Sequence, residues 1–238
     1  MPYRSAMPVP LMRIYRLMFS RLGPQHWWPA DTPFEVMVGA ILTQNTNWGN
    51  VEKAIARLRQ ARMLNPDRIA GASLPRLAAL IRPAGYFRVK AKRLRSFVRY
   101  FVHGYSGRWS AMARRPTAEL REELLAVHGV GPETADSILL YALGHPVFVV
   151  DAYTLRIFHR HGWADERVKY HEVQTLITAG IKRDPVLFNE YHALIVMIGK
   201  DYCRKKPRCE VCPLKTLLPA RGPLGLSTSF WDRARGPK

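Results

Sequence analysis

The sequence predicts an all-α protein, and three observations support that prediction. Apolar residues recur at spacings of three and four along most of the chain, which is the period of an amphipathic helix. Turn and capping residues such as Asp31-Thr32-Pro33 and Asp184-Pro185 separate these periodic segments. Only the five residues Pro146–Val150 have the composition of a β-strand. Together these features favour a helical fold.

Each periodic segment is justified by its apolar spacing and by the punctuation that bounds it. Further punctuation stands at Asn65-Pro66-Asp67, Arg82-Pro83 and Arg115-Pro116-Thr117. The predicted helices are, in chain order, Leu11–Leu22, Phe34–Leu42, Val51–Leu58, Val89–Val102, Ala118–Val127, Thr134–Leu143, Ala152–His159, Val173–Ile181 and Val186–Ile198. After Pro219 the chain is rich in Gly, Pro, Ser and Arg, which predicts a loosely ordered tail.

The composition indicates a polyanionic partner. The chain of 238 residues has 37 Lys and Arg against 18 Asp and Glu, a formal net charge of +19. Such an excess favours binding to nucleic acid. A soluble protein with Arg-rich composition and a membrane-surface protein are the alternatives. The segment Met1–Leu22 mixes arginines into its apolar residues and has no run of signal-peptide or membrane-span length. We therefore expect a cytoplasmic protein, or a nuclear one in a nucleated cell, that does not contact a membrane.

A tight turn is predicted between two helices at Gly129-Val130-Gly131-Pro132. Two glycines one residue apart permit the turn and let the backbone approach a ligand closely. Pro132 suits the first position of the next helix, and the free amides of a helix start can bind a phosphate. By itself the pattern equally fits a plain connection between helices with glycine caps.

The segments around this turn resemble one protein family. The segment Leu125-Ala126-Val127-His128-Gly129-Val130-Gly131-Pro132-Glu133-Thr134-Ala135 is followed by the loop Gly144-His145-Pro146 and then by Val150-Asp151 at a helix start. This order of motifs resembles the HhH-GPD superfamily, the endonuclease III-like DNA glycosylases, from about Trp27 to Cys212. The resemblance implies a two-lobed helical enzyme that removes damaged bases from double-stranded DNA. It also implies that Gly129, Gly131 and Thr134 belong to the DNA-binding hairpin.

Asp151 is the predicted catalytic residue. A carboxylate can stabilise the oxocarbenium-like state of glycosidic cleavage and can orient or deprotonate water. Asp is also a favoured N-cap residue, and the two roles are compatible. Bifunctional relatives carry a lysine two residues after the second hairpin glycine, whereas this chain has Glu133 there. A carboxylate cannot form a Schiff base, so the resemblance implies a monofunctional enzyme without significant lyase activity.

Two further motifs point to a particular branch of the superfamily. Leu42-Thr43-Gln44-Asn45-Thr46 and the aromatic residues near it resemble the MagIII-type 3-methyladenine DNA glycosylases. There Gln44 would fill the gap left by the flipped nucleotide. Aromatic faces attract electron-poor or cationic alkylated purines, so Trp27, Trp28 and Trp48 are candidates for the base pocket. The alternatives are a polar loop without DNA contact for Gln44 and packing roles for the tryptophans.

Three cysteines near the end of the chain resemble the [4Fe–4S] loop of the superfamily. Cys203, Cys209 and Cys212 supply three thiols, but no Cys, His, Asp or Glu follows at Lys215–Leu218 to complete a set of four. Three interpretations remain: a cluster completed by another ligand, a zinc site, or a loop without metal.

The predicted organisation has four parts. An N-terminal helix in residues 1–28 packs with a second lobe, residues 137–219. A central lobe, residues 29–136, ends in the hairpin, and a basic flexible tail follows in residues 220–238. We expect the two lobes to flank a DNA-binding cleft, and we expect a monomer associated with the nucleoid. Glycosylases for oxidised, deaminated or mismatched bases and a non-catalytic DNA-binding protein are the alternative functions.

Overall fold

The computed structural model describes residues 8–234, with side chains up to Trp231. Across this range the chain forms helices and no strand, which confirms the predicted all-α fold. None of the helices in this range is both long and apolar enough to cross a membrane. The α-helices are α1 Leu11–Leu22, α2 Pro33–Leu42, α3 Trp48–Gln60, α4 Pro66–Gly71, α5 Leu74–Leu80, α6 Phe87–Tyr105, α7 Trp109–Met112, α8 Thr117–Ala126, α9 Pro132–Ser137, α10 Ala152–Arg160, α11 Tyr170–Gly180, α12 Pro185–Asp201 and α13 Thr228–Ala234.

The chain divides into two compact units. One is Trp28–His145, and the other combines described residues 8–27 with 146–234. The sequence placed the boundary after Asp136, nine residues earlier than the division found here. Residues 137–145 stay with the first unit because the π-helical turn Ile138–Ala142 packs against α2.

The unit Trp28–His145 is built around α2. Pro33 occupies the first position of α2, and Thr32 Oγ1 accepts a hydrogen bond from Glu35 N at 3.2 Å, so both residues favour a helix start. Every residue of α2 from Phe34 to Leu42 is buried. It packs against α3, α6 and α9. Because α2 ends at Leu42, the polar segment that contains Gln44 leaves the core at a fixed point.

Two short helices in this unit, α4 and α5, begin at polar residues that act as N-caps. The Asn65 side chain accepts from Arg68 N at 3.0 Å and begins α4. The Ser73 hydroxyl accepts from Arg76 N at 3.4 Å and begins α5. Both helices pack on α6. These residues are N-caps rather than loop residues, and helices of six or seven residues are too short for periodicity to reveal.

In the other unit, α12 is the central helix and contacts both α1 and α10. The Tyr191 hydroxyl donates to the carbonyl of Leu11 at 2.8 Å, which fixes the start of α1. A Cβ atom at Gly199 would lie 2.3 Å from Cδ1 of Tyr153. Only glycine therefore permits the observed approach of α10 to α12 at that position.

The strand predicted at Pro146–Val150 does not form. The segment has no regular secondary structure, although Phe148, Val149 and Val150 are buried. Side chains of α11 take the place of a partner strand. The Gln174 amide donates to the Phe148 carbonyl at 2.7 Å, and the Val150 amide donates to the Tyr170 hydroxyl at 3.3 Å.

The segment after Pro219 is more ordered than its composition suggests. The Leu224 amide donates to the Arg160 carbonyl at 3.0 Å, and the described range ends in α13, where Phe230 is buried. The Trp231 ring lies 5.4 Å from the Arg156 guanidinium. Tertiary contacts thus order this segment up to residue 234. The predicted tail residues 235–238 and the first seven residues of the predicted N-terminal segment lie outside the described residues.

Candidate active site

The predicted hairpin connects α8 to α9. Gly129 has a φ of 84°, a conformation that favours glycine, and Pro132 occupies the first position of α9. The Arg93 side chain lies directly against Gly129, since a Cβ atom there would be 2.2 Å from Arg93 Cγ. Gly129 is therefore required both by its backbone conformation and by the neighbouring arginine.

Gln44 supports the hairpin from the segment that follows α2. Its amide nitrogen donates to the Gly129 carbonyl and to the Thr134 hydroxyl, both at 2.9 Å. Its amide oxygen accepts from Arg93 Nη1 at 2.6 Å. The amide group is thus bonded to protein on both sides. The predicted role of Gln44 in filling the space of a flipped nucleotide stays a prediction.

The residues of α9 differ in what they face. Thr134 is only 6% exposed and faces Gln44, whereas Glu133 is exposed in the first turn of the helix. Asp136 is fully buried and binds Arg121 of α8 through two hydrogen bonds, at 2.7 and 3.1 Å. This paired geometry ties α8 to α9 on either side of the turn.

A buried lysine that the sequence did not single out as a site residue holds the end of α2. Lys90 Nζ donates to the carbonyls of Leu42 and Ala84 at 2.8 and 2.7 Å, and the residue is 1% exposed. Burial, with a smaller contribution from the positive charge of Arg93, lowers the pKa of Lys90 to about 8. A cation at a helix C-terminus stabilises the free carbonyls there, so Lys90 fixes the chain two residues before Gln44.

Two of the three predicted pocket tryptophans meet in the unit Trp28–His145. The Trp28 and Trp48 rings are 5.0 Å apart and nearly perpendicular. The Tyr141 ring, which the sequence did not single out, lies 5.2 Å from Trp28. All three side chains are partly exposed. Tyr141 sits in the π-helical turn Ile138–Ala142, and such turns often occur at functional sites. Trp27 is partly exposed in the other unit.

Asp151 is the N-cap of α10. Its Oδ1 accepts hydrogen bonds from the Thr154 amide at 2.7 Å and from the Thr154 hydroxyl at 2.8 Å. Its Oδ2 takes no part in the cap. The residue is 9% exposed, and the buried segment Phe148–Val150 precedes it. The same carboxylate can therefore cap the helix with one oxygen while the other remains available for chemistry.

His192 of α12 faces the second oxygen of that carboxylate. His192 Nε2 lies 3.6 Å from Asp151 Oδ2, which is longer than a direct hydrogen bond. Burial lowers the pKa of His192, and the negative charge of Asp151 offsets this effect in part. The sequence offered no spacing signal for His192, because a single histidine on an apolar helix is more often a core residue.

Two buried arginines of α10 organise the cysteine loop. The Arg156 guanidinium donates to the Cys203 carbonyl at 2.6 Å. The Arg160 guanidinium donates to the carbonyls of Arg204 and Lys205 at 2.6 and 3.1 Å, and to the Cys203 sulfur at 3.3 Å. The loop is thus connected to the helix that begins after Asp151.

The donor set of this loop does not fit a [4Fe–4S] cluster. Cys203, Cys209 and Cys212 line one small cavity together with Arg160 and His161. Nowhere in the described part of the chain do three or more His, Cys, Asp or Glu side chains form an arrangement suited to a metal ion. Burial raises the pKa of Cys212 to about 11 and also raises that of Cys209.

Comparison with known proteins links this geometry to DNA repair. The family model for HhH-GPD superfamily base excision DNA repair proteins matches residues 38–183. A protein of Methanocaldococcus jannaschii that is named as a DNA repair glycosylase is 47% identical over 207 residues, which cover 86% of this chain and 94% of that protein. Endonuclease III of Thermotoga maritima is 32% identical over 184 residues, covering 77% of this chain and 81% of the enzyme.

A solved structure with a bound base is also similar. The 3-methyladenine DNA glycosylase of H. pylori, crystallised with 1,N6-ethenoadenine, aligns with a TM-score of 0.70 and 30% sequence identity. The alignment covers 80% of this chain and 95% of that one.

Proposed function

The chain belongs to the HhH-GPD superfamily of base excision DNA repair proteins and is a DNA glycosylase of that family, and on this premise we propose that it hydrolyses alkylated purines such as 3-methyladenine without significant lyase activity. The observation that carries the proposal is the Asp151 carboxylate. One of its oxygens caps α10 and the other is outside the cap, in a setting that is mostly buried.

In the proposed reaction Asp151 acts on water. The carboxylate orients a water molecule and accepts its proton while the water oxygen forms a bond to the sugar C1′. The bond from C1′ to the base breaks, and its electron pair leaves with the base. A purine alkylated on a ring nitrogen is cationic, so it departs as a neutral base and needs little acid assistance. A single carboxylate suits this chemistry. Burial lowers the pKa of His192, the histidine that faces Asp151.

The proposal that lyase activity is absent rests on Glu133. This residue stands where bifunctional relatives have a lysine, and it is exposed in the first turn of α9. A carboxylate cannot attack C1′ to form an imine. Lys90 is not a substitute, because its ammonium group is buried and bonded to two carbonyls.

The proposed preference for alkylated purines rests on aromatic side chains. The Trp48 and Tyr141 rings both contact the Trp28 ring, and each of the three residues is partly exposed. Electron-poor rings stack favourably on such faces. Trp27 stays a predicted residue of the base pocket. The structure of the H. pylori enzyme with an ethenoadenine base supports this assignment by similarity.

The proposed DNA contact uses the hairpin. The backbone amides at Gly129, Gly131 and the start of α9 would bind a phosphate, and the bonds from Gln44 to Gly129 and Thr134 would hold them in place. Base flipping is required because C1′ is inaccessible within the stacked duplex.

The proposal is tested with duplexes that each carry one lesion. We expect release of 3-methyladenine to exceed release of uracil, thymine glycol and 8-oxoguanine. Strand breaks should appear only after alkali, and borohydride should trap no covalent adduct. A preference for an oxidised pyrimidine would refute the substrate assignment, and a robust adduct would refute the monofunctional assignment.

The aromatic pocket has its own test. Stacking on an aromatic face is worth about 1–3 kcal/mol per base, so Trp28→Ala should slow 3-methyladenine release roughly tenfold to a hundredfold. Trp28→Phe should restore part of the rate, since it keeps an aromatic face. Trp109→Ala is the matched control because Trp109 is 46% exposed on α7, outside this aromatic group. Unchanged lesion selectivity in Trp28→Ala would exclude Trp28 from the pocket.

A further inference from the structure

A concave basic surface lies on the unit Trp28–His145, between α3 and the short 3-10 turn that precedes α6. It is lined by Lys53, Arg57 and Arg82, with the amide side chains of Asn50 and Gln60 at its sides. Among the described residues, no carboxylate lines it. We call this surface, defined by Lys53, Arg57 and Arg82, the basic concavity.

Among the described residues, the three cations of the basic concavity have no acidic partner. All ion pairs in this range are formed by other side chains. Arg59, on the same helix, differs sharply. It lies 2.7 Å from Asp31 and 2.7 Å from Glu35. One face of α3 is therefore neutralised by the protein, whereas the face toward the concavity keeps its positive charge.

The arrangement of these cations does not stabilise the helix. Lys53 and Arg57 are four residues apart on one face of α3, and like charges at that spacing destabilise a helix. Arg82 adds a third positive charge from a different segment, and its guanidinium is held 5.8 Å from the centre of the Phe87 ring. An external anion would offset this repulsion.

The geometry points to a nucleic-acid backbone as that anion. The rise of an α-helix places Lys53 and Arg57 roughly 6 Å apart along α3. Successive phosphates of one DNA strand are spaced about 3.4 Å along the duplex axis, so cations at this separation can reach separate phosphates of one strand. The amide side chains of Asn50 and Gln60 extend the same face at both ends and can donate to phosphate oxygens.

We propose that the basic concavity binds backbone phosphates of the DNA duplex at a second contact, separate from the hairpin. The position of α3 in the chain agrees with this proposal, because α3 begins four residues after Gln44. The inference rests on the proposed function only in taking DNA as the polyanion. Such a contact fixes the register of the protein on the duplex and does not read its sequence.

Salt dependence of binding to an undamaged duplex tests the proposal. Each lost phosphate contact should reduce the slope of log Kd against log salt concentration by about 0.9. The double variant Lys53→Gln/Arg57→Gln should therefore lose about 1.8 from the slope and bind roughly tenfold more weakly, or worse. Arg82→Gln should lose about 0.9.

Arg59→Gln is the matched control. Arg59 lies on the same helix as Lys53 and Arg57, and its replacement removes one positive charge, but its side chain is already paired with two carboxylates. Its slope should stay within error of the parent. All four side chains are exposed, so thermal unfolding should confirm that folding is intact.

The outcomes separate this inference from the proposed function. An unchanged slope in the double variant would overturn the inference, as would an equal loss in Arg59→Gln, which would indicate a general charge effect. Saturable binding of inorganic phosphate to the parent, with no change of the DNA slope in the variants, would also overturn it in favour of a small-anion site. A reduced slope together with no base release from any lesion would support the inference and refute the proposed function.

Discussion

The polar groups around Gln44 and those around Asp151 are arranged in different ways. The Gln44 amide is bonded on both sides, to Arg93 through its oxygen and to Gly129 and Thr134 through its nitrogen. The Asp151 carboxylate is bonded through Oδ1, while Oδ2 only faces His192 at 3.6 Å. The protein thus holds both sides of the Gln44 amide, whereas the described residues hold the Asp151 carboxylate by direct hydrogen bonds through Oδ1 alone.

This difference fits two different tasks. A surface that positions DNA gains from rigidity, since fewer side chains must be ordered when the ligand binds. A catalytic carboxylate must instead retain a lone pair for water or for the developing positive charge. The comparison predicts that changes near Gln44 alter stability and binding, whereas changes at Asp151 alter the chemical step.

The largest effect is expected at Asp151. Asp151→Asn should lower single-turnover base release by roughly two orders of magnitude or more, because the amide cannot accept a proton from water. Asparagine is as good an N-cap as aspartate, so the cap of α10 and the affinity for DNA should persist.

Thr154→Val sharpens this test. It removes a hydroxyl that bonds to Asp151 Oδ1 but leaves the carboxylate charge. We expect a much smaller loss of rate than in Asp151→Asn. Near-normal base release by Asp151→Asn would contradict a catalytic role and leave only the cap.

A smaller effect is expected at Arg93. Arg93→Met keeps the apolar stem beside Gly129 but removes the charged donor to Gln44. Hydrogen bonds to charged groups contribute about 1.5–3 kcal/mol, and partial exposure of Arg93 favours the lower end. Urea unfolding should therefore show a loss of about 1.5 kcal/mol, with weaker binding to duplex DNA.

Arg95→Met is the control for Arg93. It lies on the same helix, and its side chain donates to the Ala72 carbonyl at 3.4 Å, away from the hairpin. Equal losses of stability and DNA affinity in the two variants would contradict a special role of Arg93 in supporting the hairpin.

The smallest effect concerns pH. Burial lowers the pKa of His192 below its ordinary value near 6.5, so the folded state favours the neutral ring. The stability from this residue is complete above the unfolded pKa and is lost as pH falls through the folded pKa. The free energy of unfolding should therefore decrease with acidification below about 6.5, by at most about 1.4 kcal/mol per pH unit for this group.

His192→Phe tests that expectation because phenylalanine keeps a ring but cannot titrate. His145 and His161, whose pKa values burial also lowers, remain in both proteins. The difference between the two pH profiles therefore isolates His192. Parallel profiles from pH 8 to 5 would show that His192 does not take up a proton in this range on unfolding.

Local patterns in the sequence predicted much of the fold and part of the site. Periodicity predicted α1 with the bounds that the structure has, Leu11–Leu22. The two glycines and Pro132 predicted the hairpin, and Asp151 was predicted at a helix start. These features depend on neighbouring residues, because caps, turns and helix faces are satisfied within a few positions of the chain. The prediction of a strand at Pro146–Val150 was wrong. Backbone groups of this segment bond to side chains of α11 that lie 20 or more residues away in the chain.

Only the tertiary structure decided which polar side chains work together. Gln44 and Thr134 are 90 residues apart in the chain, and Lys90 is 48 residues from the Leu42 carbonyl that it caps. A lysine or an arginine on an amphipathic helix is expected at the surface, whereas a histidine is found both at the surface and in the core. Burial of Lys90, Arg156 and His192 depends on which helices pack over them, and no local pattern records that packing. The sequence determined the helices and the chemical groups, whereas packing determined which of those groups are held and which remain available to react.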